Sequence, residues 1–263
     1  MTCVVVKLGG HALDSLGPRS PRLVELALDI AQLRDAGTDV AVMHGGGPQI
    51  SALLDGLGMK SQFHEGMRVT DTATMQVVAT ALGYVNLQVT AALNQAGLDS
   101  VGLSGADTTL LCASSVGEPW RRVGATPKVR VDIVTTLWQS GVTPVISPVA
   151  VDENGELLNC NADVAAGALA GALGADVLVL LSDVDQLRTD VTDESSGLAT
   201  VVRLQIAQLL ATGQARDGMR PKMTAALDAL AGGARRILLA NGTRPHALRD
   251  ALAGHIPTTE VIT

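Results

Sequence analysis

DVAVMHGGGPQI occupies residues 39–50. It is an apolar run of strand character, then three glycines, then a proline that opens a helix-like pattern. Glycine backbone at a strand-to-helix turn lets another group, commonly an anion, come very close. No Lys-Ser or Lys-Thr pair follows, as a P-loop requires, and the glycine spacing is not that of a dinucleotide-binding turn. The turn therefore sits in an α/β chain, and the cations for any phosphate chemistry have to come from elsewhere.

The same alternation extends in both directions. Strands are expected at Cys3–Leu8, Asp39–Met43, Ser100–Leu103, Leu110–Ala113, Pro144–Pro148, Val177–Leu181 and Arg236–Ala240, with a last edge strand at Thr259–Ile262. Helices are expected at Pro21–Asp35, Pro48–Leu57, Thr72–Gln95, Val131–Gln139, Ala162–Leu173, Leu204–Ala211, Pro221–Leu230 and Pro245–Ala253. VDENGELLN (151–159) carries an Asn-Gly pair and reads as a hairpin, and Thr189–Ser196 reads as a polar loop. Near-continuous apolar strands such as VLVLL, alternating with helices, imply a mainly parallel sheet covered on both faces. The expected fold is a three-layer αβα sandwich. No repeat and no long linker divides the chain, so the boundary between residues 1–174 and 175–263 is a soft one within one continuous sheet.

The 263-residue chain carries a net charge of −7, which argues against general binding to nucleic acid or to a membrane surface. Aromatic residues are only 2%, too few for a base-stacking platform. Cys3, Cys112 and Cys160 form no CxxC pair, so no zinc site or disulfide framework is suggested, and a reducing cytoplasm fits best. Neither a signal peptide nor a transmembrane helix is read.

In open parallel sheets, ligands bind beyond the carboxyl ends of the strands. Those ends carry Lys7, Gly9 and Gly10; His44 to Gly47; Asn159, Asn161 and Asp163; and Ser182, Asp183 and Asp185. Asp217, Gly218, Met219 and Lys222 lead into a helix. Asn159, Asn161 and Asp163 also suit turns and helix caps. His44 reads as a packed strand-end histidine rather than a base. Lys222 at a helix start opposes the macrodipole, so an anion there would compensate it. HGGG is also an esterase oxyanion motif, but Ser104 in GLSGA lacks the GxSxG pattern and the sequence after it does not read as a helix.

VVVKLGG, HGGGPQI, GMRVTD, NCNADVAAGALAGALGAD, LLSDVDQL and DGMRPKMTAALDAL occur in this order over nearly the whole chain. Together they resemble the amino-acid kinase superfamily, most closely the N-acetylglutamate kinases of arginine biosynthesis. The resemblance implies transfer of the γ-phosphoryl group of ATP to a side-chain carboxylate, giving an acyl phosphate. A carboxylate is already ionised at neutral pH, so no general base is needed. What is needed is to join two anions and to stabilise charge on the group in flight.

By that resemblance, Lys7 and Lys222 stabilise the transition state and Asp163 orients both ammonium groups. Gly46 and Gly47 present N–H groups to the phosphoryl group and the substrate. Arg68 pairs with the amino acid's α-carboxylate, and Asn159 bonds its acylated end. Gly9, Gly10, Ser182, Asp183 and Met219 lie near the nucleotide. Residues 1–174 would hold the acyl amino acid and the dimer contact, and residues 175–263 would hold ATP. Mg2+ would bridge the phosphates largely without protein ligands.

The chain departs from the family at Gln186, where relatives carry glycine, and at Cys160 and Arg220, where neighbours are commonly apolar. Arginine-inhibited relatives carry an extra N-terminal helix; a first strand beginning at Cys3 leads to the expectation of a homodimer without feedback by that route. Three rival readings stand. One is a kinase of aminoadipate or glutamate on an acidic carrier protein, for which Arg121, Arg122, Lys128 and Arg130 would form a basic face. Another is a kinase of a modified acyl amino acid in specialised metabolism. The third is a nucleotide or amino-acid sensor without turnover.

Overall fold

The computed structural model describes residues 2–9, 13, 17, 19–188, 193, 196–211 and 219–262. Eight strands build the main sheet: β1 (Thr2–Leu8), β2 (Thr38–His44), β3 (Ser100–Ser104), β4 (Thr143–Ser147), β5 (Val177–Ser182), β6 (Thr200–Val202), β7 (Ile237–Asn241) and β8 (Thr258–Ile262). Their order is β6-β8-β7-β5-β1-β2-β4-β3. All neighbours run parallel except β7 and β8. The chain end is thus not the edge that the sequence suggests. β8 lies between β7 and β6, and the short β6 takes the edge. Strand order in space does not follow order in sequence, so local pattern could not settle this.

Among the described residues the α-helices are α1 (Pro21–Asp35), α2 (Gly47–Gly56), α3 (Thr72–Gln95), α4 (Asp132–Gln139), α5 (Ala162–Leu173), α6 (Arg203–Ala211), α7 (Met219–Gly232) and α8 (Ala247–Ala253). Alternate strand residues feed opposite cores, as a two-residue period requires. Val4, Val6 and Leu8 of β1 join Val40 and Val42 of β2 under α1, α3 and α8. Cys3 and Val5 join Ala41, Met43, Leu178 and Leu180 under α4, α5, α6 and α7. Three layers result, as expected. Each buried Val or Leu stabilises the fold by about 1.5–3 kcal/mol.

Local signals fix several boundaries. α1 begins at Pro21, whose missing N–H costs nothing in the first turn. Asp71 caps α3 by accepting from the Thr74 N–H at 2.8 Å. Asn161 caps α5, accepting from the N–H groups of Asp163 and Val164 at 2.8 and 3.2 Å, and Gly174 ends that helix in the left-handed region at φ 58°. α3 is long and apolar enough to cross a membrane, yet half of its most apolar stretch is buried, with Val78, Val85, Val89 and Leu93 fully enclosed. It is a core helix.

A second, six-stranded sheet stands over the carboxyl ends of the first. Its order is Ser115–Gly117, Arg121–Gly124, Leu157–Asn159, Val149–Val151, Leu111–Cys112, Lys128–Val129. The expected Asn-Gly hairpin is here, with Val149–Val151 antiparallel to Leu157–Asn159. The strand expected at Leu110–Ala113 also belongs here, shortened by a preceding 3-10 turn at Asp107–Thr109. Phe63–His64 and Met67–Arg68 form a separate hairpin, and Leu187–Arg188 pairs with Gly197–Leu198. Most of the polar loop read at Thr189–Ser196 lies outside the described residues.

Candidate active site

Lys7 is on β1 but belongs to the face of Cys3 and Val5, so it points toward α5 rather than α1. Its ammonium reaches Asp163 Oδ1 at 2.8 Å, and the Lys222 ammonium reaches Oδ2 of the same carboxylate at 3.4 Å. All three side chains are almost enclosed, at 7%, 8% and 13% exposure for Lys7, Asp163 and Lys222.

The helix pair behind this cluster explains how it closes. α5 carries Gly167 and Gly171 one turn apart, facing α7. A Cβ on Gly167 would stand 2.4 Å from the Ala225 carbonyl oxygen, and one on Gly171 would stand 3.0 Å from the Gly232 Cα. Only glycine lets the two backbones approach so closely. That approach sets Lys222, in the first turn of α7, against Asp163, in the first turn of α5.

Burial pushes the Lys7 ammonium below its ordinary value, and the Asp163 charge works against that shift. For Asp163 burial works upward, but the Lys7 and Lys222 charges win and hold the carboxyl below the usual range. A buried ion triad of this kind is a poor way to gain stability. Its use is to hold two ammonium groups in fixed positions beside a cavity.

That cavity has a volume of about 480 Å3. Lys7, Asp163, Gly46, Gly47, Arg68 and Asn159 all line it. Lys222 joins them through its ion pair. The catalytic and acceptor-binding residues expected from sequence are therefore gathered at one place. Gly46 is the N-cap of α2 and Gly47 its first residue, so their N–H groups have no intrahelical partner and suit an anion. Asn159 donates from Nδ2 to the Thr70 hydroxyl at 3.1 Å.

Arg68 is 8% exposed. Its guanidinium donates to the Ser61 hydroxyl, to the Ser51 hydroxyl at 3.0 Å and to the Gly47 carbonyl at 3.3 Å. The Phe63 ring lies 4.7 Å below it. Burial pushes its pKa down, opposed by Asp55. Among the described residues no carboxylate forms an ion pair with it. A buried guanidinium with only neutral hydrogen-bond partners is chemically suited to a carboxylate, which a planar fork of N–H donors matches.

The expected nucleotide residues lie apart from this cavity. Gly9 follows β1 and donates to the Leu181 carbonyl at 2.9 Å. A Cβ there would meet that oxygen at 2.7 Å, so glycine is required for packing as well as for any ligand. Ser182 ends β5 and is buried, and Asp183 adds a favourable field at Lys7. Met219 begins α7 and packs on the core. Gly10 lies outside the described residues. In place of a bare turn, Gln186 donates from Nε2 to the Thr258 carbonyl at 2.9 Å and braces the start of β8. No cluster of three or more metal-ligating side chains occurs among the described residues.

Three features escaped the sequence reading. The Phe63–Arg68 hairpin turns at Glu65 and Gly66, both at positive φ (49° and 77°), and a residue-Gly pair was the available signal. Trp120 tethers that hairpin, donating from Nε1 to the His64 carbonyl at 3.0 Å. His44 is wholly enclosed, as read, but it is bonded at both ring nitrogens. Ser104, the candidate esterase nucleophile, is followed by the 3-10 turn, not by the helix that a nucleophile elbow requires.

Comparison with known proteins agrees with this geometry. The profile of the amino acid kinase family matches residues 2–241. An acetylglutamate kinase of Nostoc punctiforme is 41% identical over 247 residues, 93% of this chain and 82% of that protein. One from Desulfitobacterium hafniense is 40% identical over 258 residues, 93% of this chain and 85% of that one. The N-acetylglutamate synthase of Neisseria gonorrhoeae, solved with coenzyme A and N-acetyl-glutamate, superposes with a TM-score of 0.83 at 23% identity. It covers all of this chain and 59% of that one, a likeness of fold.

Proposed function

The chain belongs to the amino acid kinase family, and on that premise we propose that it phosphorylates the side-chain carboxylate of N-acetyl-L-glutamate with ATP, a step of arginine biosynthesis. One observation carries the site assignment: a single buried carboxylate holds two ammonium groups at the wall of a cavity that is also lined by an arginine with no carboxylate partner among the described residues. Such a cavity suits an acceptor with two carboxylates, one to be held and one to react.

In this reading Arg68 holds the α-carboxylate and Asn159 bonds the acyl end. The side-chain carboxylate then faces Lys7 and the Gly46 and Gly47 N–H groups. Lys7 and Lys222 offset the charge on the transferring phosphoryl group, and Asp163 keeps both in place without titrating. Bringing two anions to bonding distance is the main barrier, and positioned cations lower it most. Mg2+, when bound with ATP, supplies charge neutralisation on its phosphates. Both Asp163 oxygens already face ammonium groups, so the phosphates and not that carboxylate would carry the ion.

Residues 1–174 serve the acceptor and residues 175–263 the nucleotide, with Gly9, Ser182, Asp183 and Met219 on the nucleotide side. The enzyme works in the cytoplasm as a homodimer. Tyr84 and Leu87, neighbours on one face of α3, are 57% and 68% exposed and suit such a contact. The carrier-protein reading is weaker. Arg122 is paired with Glu156 at 2.6 Å, Arg121 lies near Asp71 and Glu118, and Arg130 near Asp132, so the basic face is largely neutralised.

Trapping of an acyl phosphate with hydroxylamine tests the activity. ATP-dependent signal is expected with acetylglutamate and not with a carrier-bound acceptor. It should vanish in Lys7→Ala and in Lys222→Ala. A silent wild type with every acyl amino acid would favour the sensor reading.

A further inference from the structure

His44 and Asn86 are both buried, and they link four elements at the base of the glycine turn. Asn86 is on α3, 42 residues from His44. Its Nδ2 lies 2.9 Å from the Val145 carbonyl of β4, 3.0 Å from His44 Nε2 and 3.4 Å from the Leu103 carbonyl of β3. Carbonyls only accept, so the atom they surround is the amide NH2. It follows that His44 Nε2 accepts. His44 Nδ1 lies 2.8 Å from the Gly45 carbonyl oxygen, so it donates. Every partner is consistent with one neutral tautomer, Nδ1–H.

The packing around Asn86 leaves it no other place. A Cβ on Gly102 of β3 would fall 2.0 Å from Asn86 Oδ1, so the glycine there makes room for the carboxamide. Gly45 is held at both ends, because its own N–H donates to the Leu8 carbonyl at 3.0 Å. Fixing the Gly45 peptide fixes the direction of the backbone that follows. That backbone is Gly46 and Gly47, at the cavity wall.

We propose that His44 is a positioning residue for phosphoryl transfer: oriented by Asn86, it clamps the Gly45 carbonyl and so aims the Gly46 and Gly47 N–H groups at the reacting carboxylate. This rests on the kinase reading given above. His44 itself touches no substrate and moves no proton. The strand-end histidine of the sequence is thus neither a general base nor mere filling.

Two measurements test it. In protein labelled with 15N-histidine, the resonance that disappears in His44→Asn should report a neutral Nδ1–H imidazole at neutral pH. An Nε2–H tautomer, or an imidazolium, would overturn the proposal, and this measurement stands whether or not acetylglutamate is the substrate. Steady-state kinetics supply the second test. Asn places its amide near the position of Nδ1 and keeps the bond to Gly45, so His44→Asn should retain kcat within about threefold. His44→Leu should lower kcat by about 30-fold or more while both KM values move less than about threefold. Equal impairment of the two variants, or a wild-type kcat in His44→Leu, would refute it. Loss of acetylglutamate turnover in the wild type would count against the kinase reading alone.

Discussion

Asp163 forms an ion pair with the Lys7 ammonium through one oxygen, at 2.8 Å, and with the Lys222 ammonium through the other, at 3.4 Å, so one carboxylate sets the separation of two lysines that are 215 positions apart in sequence. Asp163→Asn keeps the shape and removes the charge. Two buried ammonium groups then face each other without compensation. Loss of one partner from a buried pair costs about 3–5 kcal/mol, and misplaced cations cost kcat at least about 100-fold. Adding Lys7→Met to Asp163→Asn should recover part of the thermal stability and none of the activity. A double variant as unstable as Asp163→Asn would show that Lys7 is not the group left stranded.

Acid should destabilise the protein in two stages. Burial lowers the His44 pKa from 6.5 to about 4, so only the unfolded chain takes up that proton between those values. Stability therefore falls as pH drops from about 6.5 to about 4, by on the order of 3 kcal/mol, and then levels for this group. Asp163 is lowered from 3.8, so its contribution is intact above that value and is lost as pH falls through its folded pKa. Denaturant melts from pH 7 to pH 4 would show the first stage, and His44→Asn should flatten it. Activity has an alkaline limit instead. Lys7 is lowered from 10.5, so kcat should decline at a pH below that of an ordinary lysine.

Much of the frame was readable because local chemistry wrote its boundaries. Pro21, Asp71, Asn161 and Gly174 mark helix ends that no tertiary contact shifts. The grouping of residues around the cavity was readable for a different reason: they sit in short motifs that travel together in one family. In the second sheet the Asn-Gly hairpin and the strand near Leu110–Ala113 were readable, but the other strands are two to four residues long and find their partners far away, as Val123 does with Asn159. The His44 clamp was hidden because it exists only when α3, β2, β3 and β4 have already packed. A histidine after a strand carries no mark of an asparagine 42 residues later.

Glycines that look alike in sequence should fail differently. A Cβ on Gly9 would press on the Leu181 carbonyl at 2.7 Å, while one on Gly47 would meet nothing within 4 Å. Gly9→Ala must shift backbone in the β1–β5 region, and overpacking of that kind costs about 1–3 kcal/mol. Gly47→Ala should leave the melting temperature nearly unchanged and lower turnover, because its methyl group enters ligand space. Scanning calorimetry beside kinetics separates the two. A strongly destabilised Gly47→Ala would mean that the turn is needed for folding more than for the ligand.

Arg68 offers a stability–function exchange. Its charge is buried among two hydroxyls, a carbonyl and an aromatic ring, and burial already pushes its pKa down. Without ligand the guanidinium is therefore a liability, and replacing a poorly compensated buried charge by an apolar chain is often neutral or stabilising. Arg68→Met should melt at the wild-type temperature or higher when no ligand is present. Its KM for the acceptor should rise at least about 10-fold, since a bidentate charge-assisted contact is lost, with KM for ATP little changed. Acetylglutamate should raise the melting temperature of the wild type and not that of the variant. Arg68→Lys keeps the charge but not the planar fork over Phe63, so it should resemble Met in KM more than it resembles the wild type. A destabilised Arg68→Met with an unchanged acceptor KM would assign the arginine to the hairpin fold instead of to substrate binding.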